Sequence, residues 1–352
     1  MDHSLLYKEF RGLRSRLCEG RTDMNHTLVC GLRFLLVLLL GFHLSCGRRA
    51  EEGGQEGIRI AVIPKGTSNV FWQTVHAGAL TAGNEFDVRV LWSGPSVETD
   101  KERQVAIVDD FIAQRVDGMV LAPQDADAMI PVANRVAVAN IPLVIIDSGI
   151  NSENFISYVA TDNYGGGVEG SRELARRINE RGKVVVIGND PGGESTNARE
   201  KGFKDTMEKE FPQIEIVGFQ YHYNAREKAR AVMEDFLVRH PDIDGVFCSN
   251  ESSTLGALMA LRAGQATDRV RFVGFDSSPE LVDALKAGEI KAIIHQDPFR
   301  IGYDGVRTMI RHLRGEDVEK RVNTGVYVVT KENMSQVEIS RLLDPNLDIL
   351  SE

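Results

Sequence analysis

The sequence predicts an α/β protein of two similar lobes, each a doubly wound parallel sheet, with the chain crossing between them three times. Three observations carry this expectation. From Ile58 onward short apolar runs alternate with helix-length segments, the pattern of parallel strands joined by right-handed crossovers. Two of the runs, Phe272–Phe275 and Leu143–Ile146, stop at the same dipeptide, Asp276-Ser277 and Asp147-Ser148. A buried strand whose last residue faces a crevice at the carboxyl edge of a sheet ends in this way. The order of elements also repeats: Val116-Asp117-Gly118 and Ile243-Asp244-Gly245 open the runs Met119–Ala122 and Val246–Cys248, while Ile60–Ile63 and Val184–Ile187 each lead into a polar loop and a helix. Since βα units resemble one another in general, it is the repeated order together with the repeated Asp-Ser that favours two similar lobes.

In chain order, Ile58–Ile63 is a strand, and the loop Pro64–Asn69 brings Ser68 or Asn69 to the N-cap of a helix over Phe71–Glu85. Strands follow at Val88–Trp92, Met119–Ala122, Leu143–Ile146 and Phe155–Ala160, separated by helices at Glu98–Arg115 and Ala126–Asn140. The second series opens with a helix at Tyr164–Arg181. It continues through strands at Val184–Ile187, Ile214–Phe219, Val246–Cys248, Arg271–Phe275 and Ile290–His295, with helices at Ser195–Glu210, Ala225–His240, Ser253–Ala263 and Pro279–Ala287. A last helix spans Phe299–Arg314. Crossings between lobes are expected at Thr161-Asp162, Gln296-Asp297 and Asn323–Gly325. They assign residues 58–161 with 297–323 to an amino-terminal lobe and 162–296 with 324–345 to a carboxy-terminal one.

The 352 residues are 26% charged and 42% hydrophobic, enough to bury two cores. Residues 1–46 hold six Lys/Arg against four Asp/Glu, so of the formal net charge of −10 the rest of the chain carries −12, which argues against a nucleic-acid partner. Residues 1–46 read as a signal region: Phe34–Leu40 is continuously apolar, preceded by Arg33 and followed by Ser45-Cys46-Gly47. An apolar stretch this short suits a signal peptide and falls well below the ~20 residues of a membrane span. The preceding 23 residues are charged and patternless, which places the translation start at Met24. Ser45-Cys46-Gly47 resembles a bacterial lipobox and implies acylation at Cys46; His43 stands where a leucine is usual, so cleavage without lipid is the alternative. Residues 47–57, rich in Glu and Gly, form a tether. Cys18 and Cys30 leave with the signal and Cys248 stands alone, so neither an internal disulfide nor a cysteine metal site is expected.

No His-Glu-x-x-His, Gly-x-Ser-x-Gly, Walker or Gly-x-Gly-x-x-Gly motif is present, and His76, His222, His240, His295 and His312 lack ligand spacing. Gly165-Gly166-Gly167 fits a tight turn and close packing better than a phosphate cradle. What gathers at predicted strand ends and adjoining loops is a polar and aromatic set: Lys65, Asn69, Phe71, Trp72, Asp147, Arg199, Asn250, Asp276 and Gln296. Carboxylates and amides pair with vicinal hydroxyls, Arg supplies a fixed fork of donors, and aromatic rings cover C–H faces. That inventory suits a sugar, and two acids balanced by two bases favour a neutral one. The opposing readings are that Phe71 and Trp72 are core and that Asp147 and Asp276 cap turns.

From Ile58 to about Val329 the chain resembles the periplasmic substrate-binding proteins of the ribose-binding type, the type I sugar receptors of bacterial ABC importers. The likeness lies in Asn69-Val-Phe-Trp72, Ile141-Pro with Asp147, Arg199-Glu-Lys-Gly-Phe203, Asn250-Glu with Leu255-Gly-Ala-Leu258, Val273-Gly-Phe-Asp276 and Gln296-Asp-Pro. The resemblance implies a periplasmic or cell-surface monomer without cofactor. Asn69, Phe71 and Trp72 would line one side of the site, Asp147 would take sugar hydroxyls, and Arg199, Asn250, Asp276 and Gln296 would close the other side. Tyr223 is the candidate for the aromatic that precedes the next helix. The implied partners are a sugar or polyol, a membrane ABC permease and a chemoreceptor. Lys65 and Ser148 depart from the ribose pattern, and Ile63-Pro64-Lys65 is similar to receptors for the furanose-like signal autoinducer-2. A signal receptor of that kind and a sugar-processing α/β enzyme using Asp147 or Asp276 as base are the alternatives.

Overall fold

The computed structural model describes residues 57–351. The expected signal region, its Met24 start, Cys46 and all but the last residue of the tether lie outside the described residues. The described chain forms two six-stranded sheets. The first contains β1 (Arg59–Ile63), β2 (Arg89–Trp92), β3 (Gly118–Leu121), β4 (Leu143–Ile146), β5 (Ser157–Ala160) and β11 (Arg321–Asn323), in the order β11-β5-β4-β3-β1-β2. The second contains β6 (Gly182–Gly188), β7 (Ile214–Tyr221), β8 (Gly245–Cys248), β9 (Arg271–Phe275), β10 (Ala292–His295) and β12 (Tyr327–Val329), in the order β12-β10-β9-β8-β6-β7. Position by position the two orders coincide, as the repeated sequence pattern predicts. The helices are α1 (Val70–Phe86), α2 (Lys101–Ala113), α3 (Ile130–Val138), α4 (Asn163–Arg177), α5 (Glu194–Glu210), α6 (Arg226–Arg239), α7 (Glu251–Ala263), α8 (Pro279–Ala287), α9 (Pro298–Leu313) and α10 (Val337–Leu343).

The strands read as unbroken apolar runs because both faces of each sheet are covered. Side chains alternate across a strand, so Ala61, Ile63, Leu143 and Ile145 enter one core of the first lobe while Ile60, Val62, Val144 and Ile146 enter the other. In the second lobe Val185, Ile187 and Val246 go to one side and Val184, Val186 and Phe247 to the other.

The chain passes from sheet to sheet after β5, after β10 and between β11 and β12, as the three-crossing expectation has it. The first and third crossings are tied together: Thr324 N donates to Ala160 O at 3.1 Å, and the buried Thr161 and Thr324 hydroxyls lie 3.4 Å apart. Gly325, with φ +95°, turns the chain there in a conformation that side chains avoid. β11 runs parallel to β5, whereas β12 runs antiparallel to β10, a departure from the all-parallel expectation. The cause is geometric: β11 leaves the first sheet at its cleft edge, so β12 enters the second sheet from the cleft edge, against the direction of its neighbours.

Caps set the helix boundaries more narrowly than periodicity does. The Asp100 side chain accepts from Arg103 N, so α2 starts at Lys101 and releases Glu98 from the expected helix. α4 ends at Arg177, before Asn179 and Glu180, both left-handed, rather than at Arg181. Asn250 caps α7 and brings its start forward from Ser253 to Glu251. Strands β11 and β12 and helix α10, too short for a periodic signal, were not expected from the sequence.

Each lobe joins two helices by glycines at backbone contact distance. A Cβ on Gly302 of α9 would lie 1.9 Å from Val75 O of α1, and one on Gly167 of α4 would lie 1.9 Å from Arg199 O of α5. The glycines after Tyr164 therefore serve packing, not a phosphate cradle. Gly302→Ala and Gly167→Ala must each push two helices apart, at about 1–3 kcal/mol or more for overpacking of this kind. Thermal denaturation is expected to show a clearly lowered melting temperature for each, and unchanged melting would contradict the close approach.

Candidate functional site

The carboxyl ends of β1, β4, β6, β8, β9 and β10 converge on one cavity of about 420 Å³, including the part open to solvent. Nine of the ten residues singled out as ligand contacts from the sequence line it: Lys65, Asn69, Phe71, Trp72, Asp147, Arg199, Asn250, Asp276 and Gln296. Tyr223 is the exception and is corrected. It is 48% exposed and its ring faces Lys228 Nζ at 5.5 Å. β7 runs on to Tyr221, two residues beyond its expected end, so the residue that turns inward is His222, whose Nε2 lies 3.1 Å from Asn250 Oδ1.

The two strand-terminal aspartates occupy equivalent places and share an unusual backbone, with φ +61° at Asp147 and +63° at Asp276. Asp tolerates the left-handed region better than most side chains, and such strain is held where surrounding contacts enforce it. Each carboxylate is held by side chains. Lys65 Nζ lies 2.7 Å from Asp147 Oδ2 and donates to Ser195 Oγ at 3.3 Å. Arg199 Nη1 is 3.6 Å from Asp276 Oδ2, and Gln296 Nε2 donates to Asp276 Oδ1 at 2.8 Å. Among the described residues no backbone N–H donates to either carboxylate, so the turn-capping reading of these aspartates is not what the structure shows. The Arg199 guanidinium is fixed further by Nε donating to Asn163 Oδ1 at 2.9 Å, by Nη1 donating to Ser249 O at 3.0 Å, and by stacking 3.9 Å from the Phe275 ring centroid.

On the first lobe Asn69 caps α1 by accepting from Trp72 N at 3.1 Å, which fixes the start of the helix that carries Phe71 and Trp72. Phe71 and Trp72 meet edge-on at 4.9 Å. Trp72 is 1% exposed, so the core reading of this ring holds together with its place at the cavity wall.

Sequence reasoning missed Glu98, Asn189, Ser195, Thr196, Glu251 and Ser252, which also line the cavity. Glu98 accepts from Trp72 Nε1 at 2.7 Å and from Asn69 Nδ2 at 3.2 Å. Burial pushes its carboxyl above the usual range, against the attraction of Lys65. Glu251 is 9% exposed and its Oε2 has no partner; burial, then Asp276 and Glu98, push it up to about 8. The signal that could have found Glu251 is its place after Asn250, at the first turn of a helix on a strand's carboxyl end.

The lobes touch across the mouth of the cavity. From the loop before α5 and its first turn, Gly192 O accepts from Ala126 N at 3.0 Å and Glu194 Oε2 accepts from Gly149 N at 2.8 Å and from the Tyr158 hydroxyl at 3.0 Å. Ser195 N donates to Ser148 Oγ at 3.1 Å, and Lys101 Nζ lies 3.4 Å from Asp190 Oδ2. This is a closed arrangement. Among the described residues no cluster of His, Cys, Asp or Glu is set to hold a metal ion.

The raised Glu251 carboxyl has a consequence for stability. Between pH 4.5, its ordinary value, and about 8 the folded protein keeps a proton that the unfolded chain releases, so this group lowers stability as pH rises through that window. Glu251→Gln is expected to melt above wild type at pH 8, by an amount corresponding to ~1–3 kcal/mol, with the difference shrinking toward pH 4.5. Melting curves of the two proteins across that range check it; a difference independent of pH would mean that Glu251 is ionised throughout.

Comparison with known proteins accords with this architecture. The periplasmic binding protein domain family matches residues 60–317. The ribose import binding protein of Haemophilus influenzae is 28% identical over 297 residues, covering 84% of this chain and 97% of its own. The D-ribose/D-allose-binding protein of Pseudomonas aeruginosa is 31% identical, covering 77% and 88%. Among solved structures, a carbohydrate transporter solute-binding protein from Agrobacterium radiobacter in complex with D-arabinose superposes with a TM-score of 0.80 at 35% identity, covering 82% of this chain and 99% of its own. An ABC transporter solute-binding protein from Agrobacterium vitis bound with α-D-tagatopyranose gives 0.78 at 32%, covering 81% and 99%. With two duplicated parallel-sheet lobes, a hinge of three crossings and a polar cavity at the strands' carboxyl ends, the chain belongs to the periplasmic binding protein family, whose members are substrate-binding proteins of transport and not enzymes.

Proposed function

We propose that this protein is an exported receptor that closes two lobes on a single sugar or sugar-like polyol and presents it to an ABC-type permease. The observation that carries the reading is the cavity itself. It is small, lined by side chains with opposed donors and acceptors, walled by Phe71 and Trp72, and shut by hydrogen bonds between the lobes. The sugars named for the relatives, ribose, allose, arabinose and tagatose, present the vicinal hydroxyls that such side chains pair with.

In this reading Asp147 and Asp276 take hydroxyls from opposite lobes. Lys65 and Arg199 hold both carboxylates in place, and the aromatic edge of α1 covers the ring's C–H face. Asn69, Asn250 and Gln296 supply amide donors and acceptors around them. Lys65 distinguishes this site from the ribose pattern, and a furanose-like signal of the autoinducer-2 type is the second reading it favours. The sequence of residues 34–47 supports export with a lipid at Cys46.

The site assignment is tested by Asp147→Ala and Asp276→Ala. A charge-assisted hydrogen bond of about 1.5–3 kcal/mol corresponds to an affinity loss of roughly ten- to a hundredfold for each. Since each change also leaves Lys65 or Arg199 without its carboxylate in a buried place, the empty variants are expected to melt lower as well. Calorimetric titration with whichever pentose or hexose raises the wild-type melting temperature measures this, and unchanged affinity in both variants would place the site elsewhere. For the anchor, mass spectrometry of the native N-terminus is expected to find an acylated Cys46, and Cys46→Ala is expected to release the protein from membranes. A cleaved, unmodified end at another residue would leave a free periplasmic receptor.

A further inference from the structure

We infer that the cavity is built for a sugar or polyol that carries an amino group, with the ammonium seated against Glu251; this rests on the sugar-receptor reading and specifies the ligand's charge within it. The first observation is the balance of charge. Four carboxyl groups line the cavity, Glu98, Asp147, Glu251 and Asp276, against two cations, Lys65 and Arg199, and burial opposes ionisation of the two glutamates. Both cations are committed to the aspartates, Lys65 to Asp147 at 2.7 Å and Arg199 to Asp276 at 3.6 Å. The sequence-level expectation of two acids matched by two bases, and with it the argument for a neutral ligand, omitted the glutamates.

The second observation is the chemistry of what is left unpartnered. Two buried side-chain atoms in the cavity wall have no hydrogen-bond partner, Glu251 Oε2 and Gln296 Oε1; the amide oxygen only accepts, and the carboxyl does so once it ionises. Glu251 is 9% exposed and Gln296 1%. Once ionised, Glu251 only accepts, so an occupant that draws off its proton has to bring donors. A hydroxyl brings one donor on each oxygen, whereas an ammonium brings three together with the positive charge that a buried carboxylate lacks.

The third observation is where the glutamates come from. Glu98 precedes α2 in the first lobe and has Oε1 held by Trp72 and Asn69, while Glu251 is the first residue of α7 in the second lobe. Glu98 and Asp276 each disfavour ionisation of Glu251, and Arg226, at the start of α6, acts in the opposite direction. Across a closing cleft two such groups repel when both are ionised. A cation between them converts that repulsion into attraction, so the same contact that selects the ligand favours closure. Lys65 partly serves Glu98 in this way; among the described residues nothing donates to Glu251.

The test is calorimetric titration of the mature protein at pH 7 with matched pairs: 2-amino-2-deoxy-D-glucose against D-glucose, 2-amino-2-deoxy-D-galactose against D-galactose, and 1-amino-1-deoxy-D-sorbitol against D-sorbitol. At least one amino compound is expected to bind about ten- to a hundredfold more tightly than its hydroxyl parent, the range for a hydrogen bond to a charged group. Glu251→Gln, close in shape, is expected to reduce that preference to about threefold or less, and Glu98→Gln to reduce it by a smaller factor. Seating an ammonium also ionises Glu251, so binding is expected to release protons, seen as a dependence of the apparent enthalpy on the buffer's ionisation enthalpy. Hydroxyl parents that bind as tightly as their amino partners, or a preference untouched in Glu251→Gln, would overturn this inference and leave the sugar-receptor reading standing. Binding by neither series would overturn this inference, while the sugar-receptor reading is decided by the pentose and hexose titrations of wild type, Asp147→Ala and Asp276→Ala.

Discussion

The buried ion pair between Lys65 and Asp147 is the contact on which the closed cleft depends. Desolvating two charges is costly, and their attraction offsets that cost only when the geometry is good and the remaining donors are used. Here the 2.7 Å pair uses the amine's further capacity on Ser195, which belongs to the opposite lobe. The neighbouring Ser148 accepts from Ser195 N, so the Asp147-Ser148 strand end grips the start of α5 through both its residues. The lysine thus gains a partner from the opposite lobe, Ser195, that it can have only when the lobes meet. Closure and the electrostatics of the site are one event, and a change at Lys65 alters both.

The duplicated architecture explains why the site has this form. Parallel strands leave their carboxyl ends on one edge, and pairing two such edges sets the loops of both lobes face to face. Asp147 and Asp276 follow equivalent strands, β4 and β9, and repeat the same left-handed backbone. The lobes then diverge in what neutralises the aspartate. In the first it is a flexible ammonium from the loop after β1; in the second it is a guanidinium locked by Asn163, Ser249 and Phe275. The guanidinium is held within its own lobe, whereas the ammonium reaches across the cleft to Ser195.

Most of the fold was legible because strands buried on both faces leave continuous apolar runs, and helices of ordinary length fill the intervals between them. The third crossing was legible at Asn323–Gly325, but the strands on either side of it were not, since three residues carry no period and β12 takes its direction from the crossing rather than from its own residues. Of the residues that line the cavity, Asp147, Asp276 and Gln296 stood at predicted strand ends and were singled out on that ground. Glu98 was hidden inside an expected helix, and only the Asp100 cap, which delays the helix to Lys101, exposes it. Tyr223 was misplaced because β7 extends to Tyr221; its pairing with β6 carries a register shift at Val184/Val185 that composition does not announce.

The same glutamates that escaped notice decide the energetics of the empty closed form. Closing the lobes without an occupant leaves Glu251 Oε2 and Gln296 Oε1 buried and unmet, at about 1–3 kcal/mol for each neutral group and more for a charged one. Against that stand the rim contacts of residues 190–195 and the Lys65 pair. An occupant able to satisfy the unmet groups removes that cost. A receptor whose cavity were fully satisfied by its own side chains would close on nothing and present an empty face to its permease; the unfilled acceptors therefore tie the closed state to the presence of cargo, and the kind of donor they call for decides which cargo that is.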